Sequence, residues 1–332
     1  MWTSPEGVRA WGKHAHGSPL YAHLVEVLAD DEELMRVLHR IKHLPQVNLI
    51  LGSVHYLLLR DPAHDLAAWF ASVVEDPRPV NEVDPVFRSF LLEHEDEVVG
   101  LANSHYTQTN ECRRCIALLP AVMTSGLDRF HLVEVGASAG LNLALDRYHY
   151  EFGDLSWGPN SPVILDGDWR GRRVALRDID VLSRTGLDLS PILPGDVDSQ
   201  QWLDALIWPE QRERRARLRA AMTMVSALGL EMVAGDALET LPAALEKLPA
   251  GEPAVVMNAF TFGQLTPEGR ARIEEICDVE RKSRPVYRVS LELLANADEW
   301  ARVSVTDHGP LVHIGQAHPH GEWVELWDQA RP

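Results

Sequence analysis

The stretch HLVEVGASAGLNL, residues 131–143, sets Glu134, Gly136, Ser138, Gly140 and Asn142 at every second position at the end of an apolar run. Two chemistries compete for that spacing. Gly136, Ser138 and Gly140 spell G-x-S-x-G, in which a tight strand-to-helix turn presents a serine hydroxyl as a nucleophile. The same residues nearly spell a glycine loop, which brings the backbone close to a nucleotide-like cofactor and aims helix N-terminal amides at its anionic groups. A dinucleotide fingerprint requires glycine at 138 and 141, where Ser138 and Leu141 stand, so a dinucleotide is disfavoured. Glu134 interrupts the apolar run with a carboxylate. Its burial is costly unless a cofactor ammonium, backbone amides or a structural Arg or Lys satisfies it.

The second polar concentration is NSHYTQTNECRR, residues 103–114. His105, Tyr106, Gln108, Asn110, Glu111 and Arg113 lie within nine positions and lead towards the glycine loop. Together they suit an acceptor-binding edge, with Glu111 or His105 as a base and Tyr106, Gln108, Asn110 and Arg113 as substrate contacts; helix capping and first-turn charges are the simpler explanation. Other groups carry less. Cys112 and Cys115 form a lone C-x-x-C without two further ligands nearby, and Pro319 separates His318 from His320, so no metal is expected. His55, on an apolar helix, reads as a core histidine. The basic run 212–219 reads as a solvated helix face, with a phosphate site as the lesser alternative, and the ten tryptophans as packing.

These residues need a scaffold, and 332 residues with 45% hydrophobic and 24% charged content can build a substantial core. A net charge of −18 disfavours nucleic acid and anionic membranes as partners. Three cysteines and no signal-peptide pattern suit a reducing cytoplasm, and the apolar run 47–59 is too short to span a bilayer. Residues 1–128 read as helical throughout, in segments such as 48–60, 64–75, 83–102 and 107–125, with Ser18 and Pro19 opening an early helix. From His131 onward the pattern alternates. LVEV at 132, GLDL at 186, LEMVAGD at 230, PAVVMNAF at 253 and PVYRVSLE at 285 are strand-like, separated by helical stretches. This is an α/β pattern of parallel strands joined by crossovers, a Rossmann-like sheet. ARVSVTD and LVHIGQA read as an antiparallel pair closing its edge, and the Gly-, Pro- and Trp-rich residues 148–185 as an insertion. A hydrolase elbow needs several strands ahead of it, whereas residues 1–128 show none.

The C-terminal half resembles the S-adenosylmethionine-dependent methyltransferases in four places, in order. LVEVGASAG is similar to their first motif, RTGLDLSP to the end of the second strand, EMVAGDALETLP to the third, and PAVVMNAFTFGQLTPEGRARI to the fourth with its loop. The resemblance implies S-adenosylmethionine as cofactor, held by Glu134, Gly136, Ala137, Ser138, Gly140 and Asn142. Asp188 would take the ribose hydroxyls, with Asp166 or Asp168 as the rival acid; Asp236 and Ala237 would lie by the adenine, and Asn258 near the methyl group. It implies an α/β, Rossmann-like methyltransferase-type domain over 129–332, preceded by an all-helical cap over 1–128. The function expected is methyl transfer to a small-molecule acceptor. The alternatives are a serine hydrolase built on Ser138, with Asp236 or Asp298 as its acid and a histidine among His308, His313, His318 and His320, or a non-catalytic binding module. Over nearly its whole length the chain also resembles a bacterial domain-of-unknown-function family, DUF2332, through SPLYAHL, VHYLLL, QTNECRR, EVGASAGLNL, DRYHY, RTGLDLSP, WLDALIWPEQRERRARL and PHGEW.

Overall fold

The computed structural model describes residues 4–13, 15, 17–108, 110–293 and 300–331. In chain order the helices are α1 (Pro5–Gly12), α2 (Pro19–Asp30), α3 (Glu32–His39), α4 (Gln46–Arg60), α5 (Asp84–Glu93), α6 (Glu95–Ser104), α7 (Cys115–Met123), α8 (Val197–Ala205), α9 (Arg212–Ser226), α10 (Ala237–Glu246) and α11 (Pro267–Glu280). The strands are β1 (Arg129–Val135), β2 (His149–Phe152), β3 (Leu155–Trp157), β4 (Ile164–Asp166), β5 (Asp168–Gly171), β6 (Asp180–Asp188), β7 (Glu231–Ala234), β8 (Ala254–Ala259), β9 (Val286–Glu292), β10 (Ala301–Thr306), β11 (Val312–Ala317) and β12 (Trp323–Arg331). They fall into two compact units, Met1–Thr109 with Asp196–Arg219, and Asn110–Gly195 with Ala220–Pro332. Among the described residues no helix is long and apolar enough to cross a membrane.

The first unit is helical. Ser18 caps α2 by accepting from the Tyr21 amide, with Pro19 at the first helical position, and Asp31 caps α3 through the amides of Glu33 and Leu34. The core gathers around α4, where Val47, Ile50, Leu51, Val54 and Leu58 are fully buried. His55 is buried with them and satisfied at both ring nitrogens, by Ala205 O at 2.9 Å and Ser72 Oγ at 2.7 Å. Residues 64–75 depart from the helical expectation: a 3-10 turn, Asp65–Trp69, is followed by a loop. Arg212 on α9 explains it by taking the carbonyls of Ala71, Val74 and Glu75 at 2.5–2.8 Å, which leaves them unavailable for helical bonds. The basic run is therefore not a purely solvated face. Arg215 is buried too, in a bidentate pair with Asp204 at 2.7 and 2.8 Å.

The second unit is built on a nine-stranded sheet in the order β5-β12-β11-β10-β9-β8-β1-β6-β7. β7, β6, β1, β8 and β9 are all mutually parallel, with Val133 beside Thr185 on one side and Val256 on the other. Val133, Val135, Leu187, Val256, Leu241 and Leu245 form its core with α10 and α11. The alternating apolar runs after His131 thus mark these strands. β10 and β11 pair antiparallel as expected, yet they do not close the edge. β12 adds antiparallel to β11, and β5 adds parallel to β12. The stretch expected to be an insertion supplies that edge strand, the start of β6, and a small second sheet ordered β3-β2-β4. Tyr150 and Phe152 of β2 are buried, as is Tyr148 just before it.

Candidate active site

From β1 the chain winds outward through β6 to β7, then returns to the other side of β1 for β8 and β9. The reversal lies between β1 and β8, and open α/β sheets hold their ligands beyond the carboxyl ends of the strands at such a point. Both strands end there in a left-handed turn that carries a non-glycine residue: Ser138 has φ 49° and Phe260 φ 59°. Such backbone costs on the order of 1–3 kcal/mol and persists where neighbours impose it.

Asn110 and Asp188 impose it on the glycine turn. Asn110 donates from Nδ2 to Ser138 Oγ at 2.7 Å and accepts from the Ala139 amide at 3.2 Å. Asp188, the last residue of β6, accepts from the amides of Ser138 at 2.8 Å and Ser190 at 2.9 Å. The amides of Gly136 and Ala137 go to Leu187 O at 2.7 and 3.1 Å, and that of Gly140 to Ala137 O at 2.7 Å. Every amide from 136 to 140 is thus committed within the chain, contrary to the expectation of amides aimed at a ligand. The expected helix after the turn is absent as well; a 3-10 turn, Leu141–Ala144, takes its place. The cause lies downstream. Tyr148, Arg184 and Tyr150 take the carbonyls of Leu141, Leu143 and Leu145 at 2.5–2.6 Å, which removes the acceptors an α-helix needs. The glycines are required by the chain itself. A Cβ on Gly136, at φ 76°, would lie 2.0 Å from Thr261 Oγ1, and one on Gly140 would lie 2.6 Å from Leu230 Cδ1.

The turn after β8 is held in a parallel way by an acid that sequence reasoning missed. Glu292, the last residue of β9, accepts at one oxygen from the amides of Thr261 and Phe262 and from Asn258 Nδ2, at 2.7, 2.9 and 2.7 Å. The available signal was an acid ending an apolar strand, as Asp188 ends β6. Asn258 is fully buried and fully used; it also meets Ser290 Oγ at 3.0 Å and buried Arg288 at 2.9 Å, so it acts as a strut of the turn. Arg288 pairs with Glu274 at 3.0 Å. Arg114 lies 4.1 Å over the Phe260 ring and reaches Pro319 O at 3.3 Å.

Glu134 is the least satisfied group of this region. Its side chain is fully buried, Oε1 accepts from Asn142 Nδ2 at 2.8 Å, and Oε2 has no hydrogen-bond partner. Burial, outweighing Asn142 and the more distant Arg114, pushes its pKa up to about 8. The Cys115 thiol reaches Asn142 Oδ1 at 3.5 Å, and burial holds its own pKa well above the usual range.

Asn110, Glu134, Gly136, Ala137, Ser138, Gly140, Asn142 and Asp188 therefore form one connected group. Asp236 caps α10 through the Leu238 amide at 2.8 Å, with Ala237 as the first helical residue, and Gly235 N joins Asp188 O at 2.9 Å. Glu111 is nearly buried and accepts from the Arg113 amide at 3.1 Å, while the Arg113 guanidinium holds Asp166 O at 2.8 and 3.2 Å. His105, Tyr106 and Gln108 belong to the helical unit. There the His105 ring lies 4.5 Å from that of Trp202, and Tyr106 O accepts from Trp202 Nε1 at 3.0 Å. The Ser138 hydroxyl is bonded to an amide, which cannot take its proton as a catalytic base would. Of the expected triad partners, His308 pairs with Asp307, His313 bonds Ser304 Oγ at 2.7 Å, and Asp298 lies outside the described residues.

The strand order and the reversal between β1 and β8 define an α/β protein whose mostly parallel sheet has a topological switch point there. The chain belongs to the family described as Uncharacterized protein conserved in bacteria (DUF2332), which matches residues 7–327. No curated protein and no solved structure matches it.

Proposed function

We propose that the second unit binds S-adenosylmethionine beyond β1, β6 and β7 and transfers its methyl group to a small-molecule acceptor. The observation that carries this reading is the unpartnered Oε2 of Glu134 near the end of β1, beside a left-handed glycine turn and opposite Gly186, two residues before Asp188 on the adjoining strand. A buried carboxylate oxygen suits an ammonium group. Asp188 spends one contact on each oxygen, which leaves lone pairs for ribose hydroxyls, and Asp236 with Ala237 suits an adenine edge. When bound, the cofactor supplies an electrophilic methyl on a sulfonium centre. The chain's part is alignment: Gly136 and Gly140 permit the tight turn, Asn110 and Asp188 fix it, and Asn258 with Glu292 fixes the turn after β8. For an acceptor that must lose a proton, Glu111, which belongs to the same unit, is the proposed base.

Asp236 offers a clean test because serine can retain its capping role. Asp236→Ser should fold with nearly unchanged thermal stability and bind S-adenosylmethionine about tenfold more weakly in equilibrium dialysis, the loss of roughly one charge-assisted hydrogen bond. Unchanged affinity would remove Asp236 from the site. Absence of binding by the unaltered protein would overturn the reading itself.

A further inference from the structure

The same oxygen points to a coupling between ligand capture and proton release, an inference that rests on the cofactor reading above. Glu134 faces Gly186 on β6 and Met257 on β8 across the sheet, neither of which can carry charge. Asn142, from the 3-10 turn, gives it one neutral hydrogen bond. Arg114, before α7, favours the anion, and Asp188, at the end of β6, opposes it. The Cys115 thiol is turned to Asn142, and the Tyr148 phenol is spent on Leu141 O at 2.6 Å. A fully buried carboxyl with one neutral donor and no cation in hydrogen-bonding contact is stable as the neutral acid. An ammonium group set against Oε2 reverses that balance.

We propose that Glu134 is protonated in the empty site and that a ligand's α-ammonium group, docking at Oε2, expels this proton to solvent. The neutral acid and the ammonium ion become a carboxylate–ammonium pair, and one proton leaves for each ligand bound. The acid's raised pKa, about 8, places the exchange in the neutral range. Ligand affinity therefore rises with pH, by up to about tenfold per unit below the acid's pKa.

Calorimetry of the full chain at pH 6.5, in buffers of low and high ionisation enthalpy, reads the proton directly. Two ligands separate the possibilities: S-adenosylhomocysteine carries the α-ammonium group, whereas 5′-methylthioadenosine keeps the nucleoside and thioether without it. The expected result is about one proton released with S-adenosylhomocysteine, and none with 5′-methylthioadenosine or with Glu134→Gln, whose amide imitates the neutral acid. Infrared difference spectra of the ligand-free protein should show a protonated carboxyl band that Glu134→Gln lacks. Absence of the band overturns the proposal, as does binding of S-adenosylhomocysteine without proton release, which leaves the cofactor reading standing. If neither ligand binds, the cofactor reading fails, and the proposal with it.

Discussion

Glu134 and His55 are both buried ionisable groups, and their partners give them different roles. His55 is hydrogen-bonded at both nitrogens, so it behaves as a satisfied core residue, which its apolar surroundings in the sequence already indicated. Burial, aided by the positive Arg215, lowers its pKa to about 3, against about 6.5 in an unfolded chain. Between those values the unfolded chain binds a proton that the folded chain refuses. The stability contributed by neutral His55 is therefore complete above pH 6.5 and is lost as the pH falls towards 3, at up to about 1.4 kcal/mol per unit. In thermal melts between pH 7 and 4.5, His55→Gln should start less stable and lose stability with acid less steeply than the unaltered protein. Equal slopes would contradict the assignment. Glu134 was also legible as an anomaly, since a carboxylate in an apolar strand needs an explanation. The roles of Asn110 and Asn258 were not, because an asparagine that braces a turn and one that binds a ligand look alike in sequence.

The two turns past β1 and β8 share a construction: a left-handed non-glycine residue in a turn whose amides are held by the acid ending the next strand outward, Asp188 taking that of Ser138 itself and Glu292 those of Thr261 and Phe262 after Phe260. Glu292→Ala would leave two amides and the Asn258 amide group without their acceptor, and should cost about 2–3 kcal/mol. Glu292→Gln, which retains a carbonyl oxygen, should recover part of that loss. Thermal unfolding of the two variants measures it, and an alanine variant as stable as the original would show that the carboxylate does not hold the turn. The parallel strands were readable because buried parallel strands form nearly continuous apolar runs. What escaped reading depends on distant partners. The 3-10 turn after Gly140 is decided by Tyr148, Tyr150 and Arg184, the loop at 70–75 by Arg212, and the β5–β12 pairing by two segments far apart in the chain.

For the whole molecule, the spacing of apolar residues indicated an α/β chain with a helical first part, and the structure shows a helical unit and a unit built on a mostly parallel sheet. The unit division is less visible in sequence because residues 196–219 return to the helical unit from the middle of the α/β pattern, with Arg215 and Asp204 buried there as a pair. A net charge of −18 leaves a small, partly cationic ligand electrostatically better suited to this protein than a polyanion. S-adenosylmethionine, with its ammonium and sulfonium groups, fits that description. The most direct test is a calorimetric titration of the full chain with S-adenosylhomocysteine, repeated on Asp188→Ala. Saturable binding that the substitution weakens at least tenfold is the result expected of a cofactor site at the ends of β1 and β6. A protein that binds no S-adenosylhomocysteine, or binds it equally well without the Asp188 carboxylate, would contradict that placement.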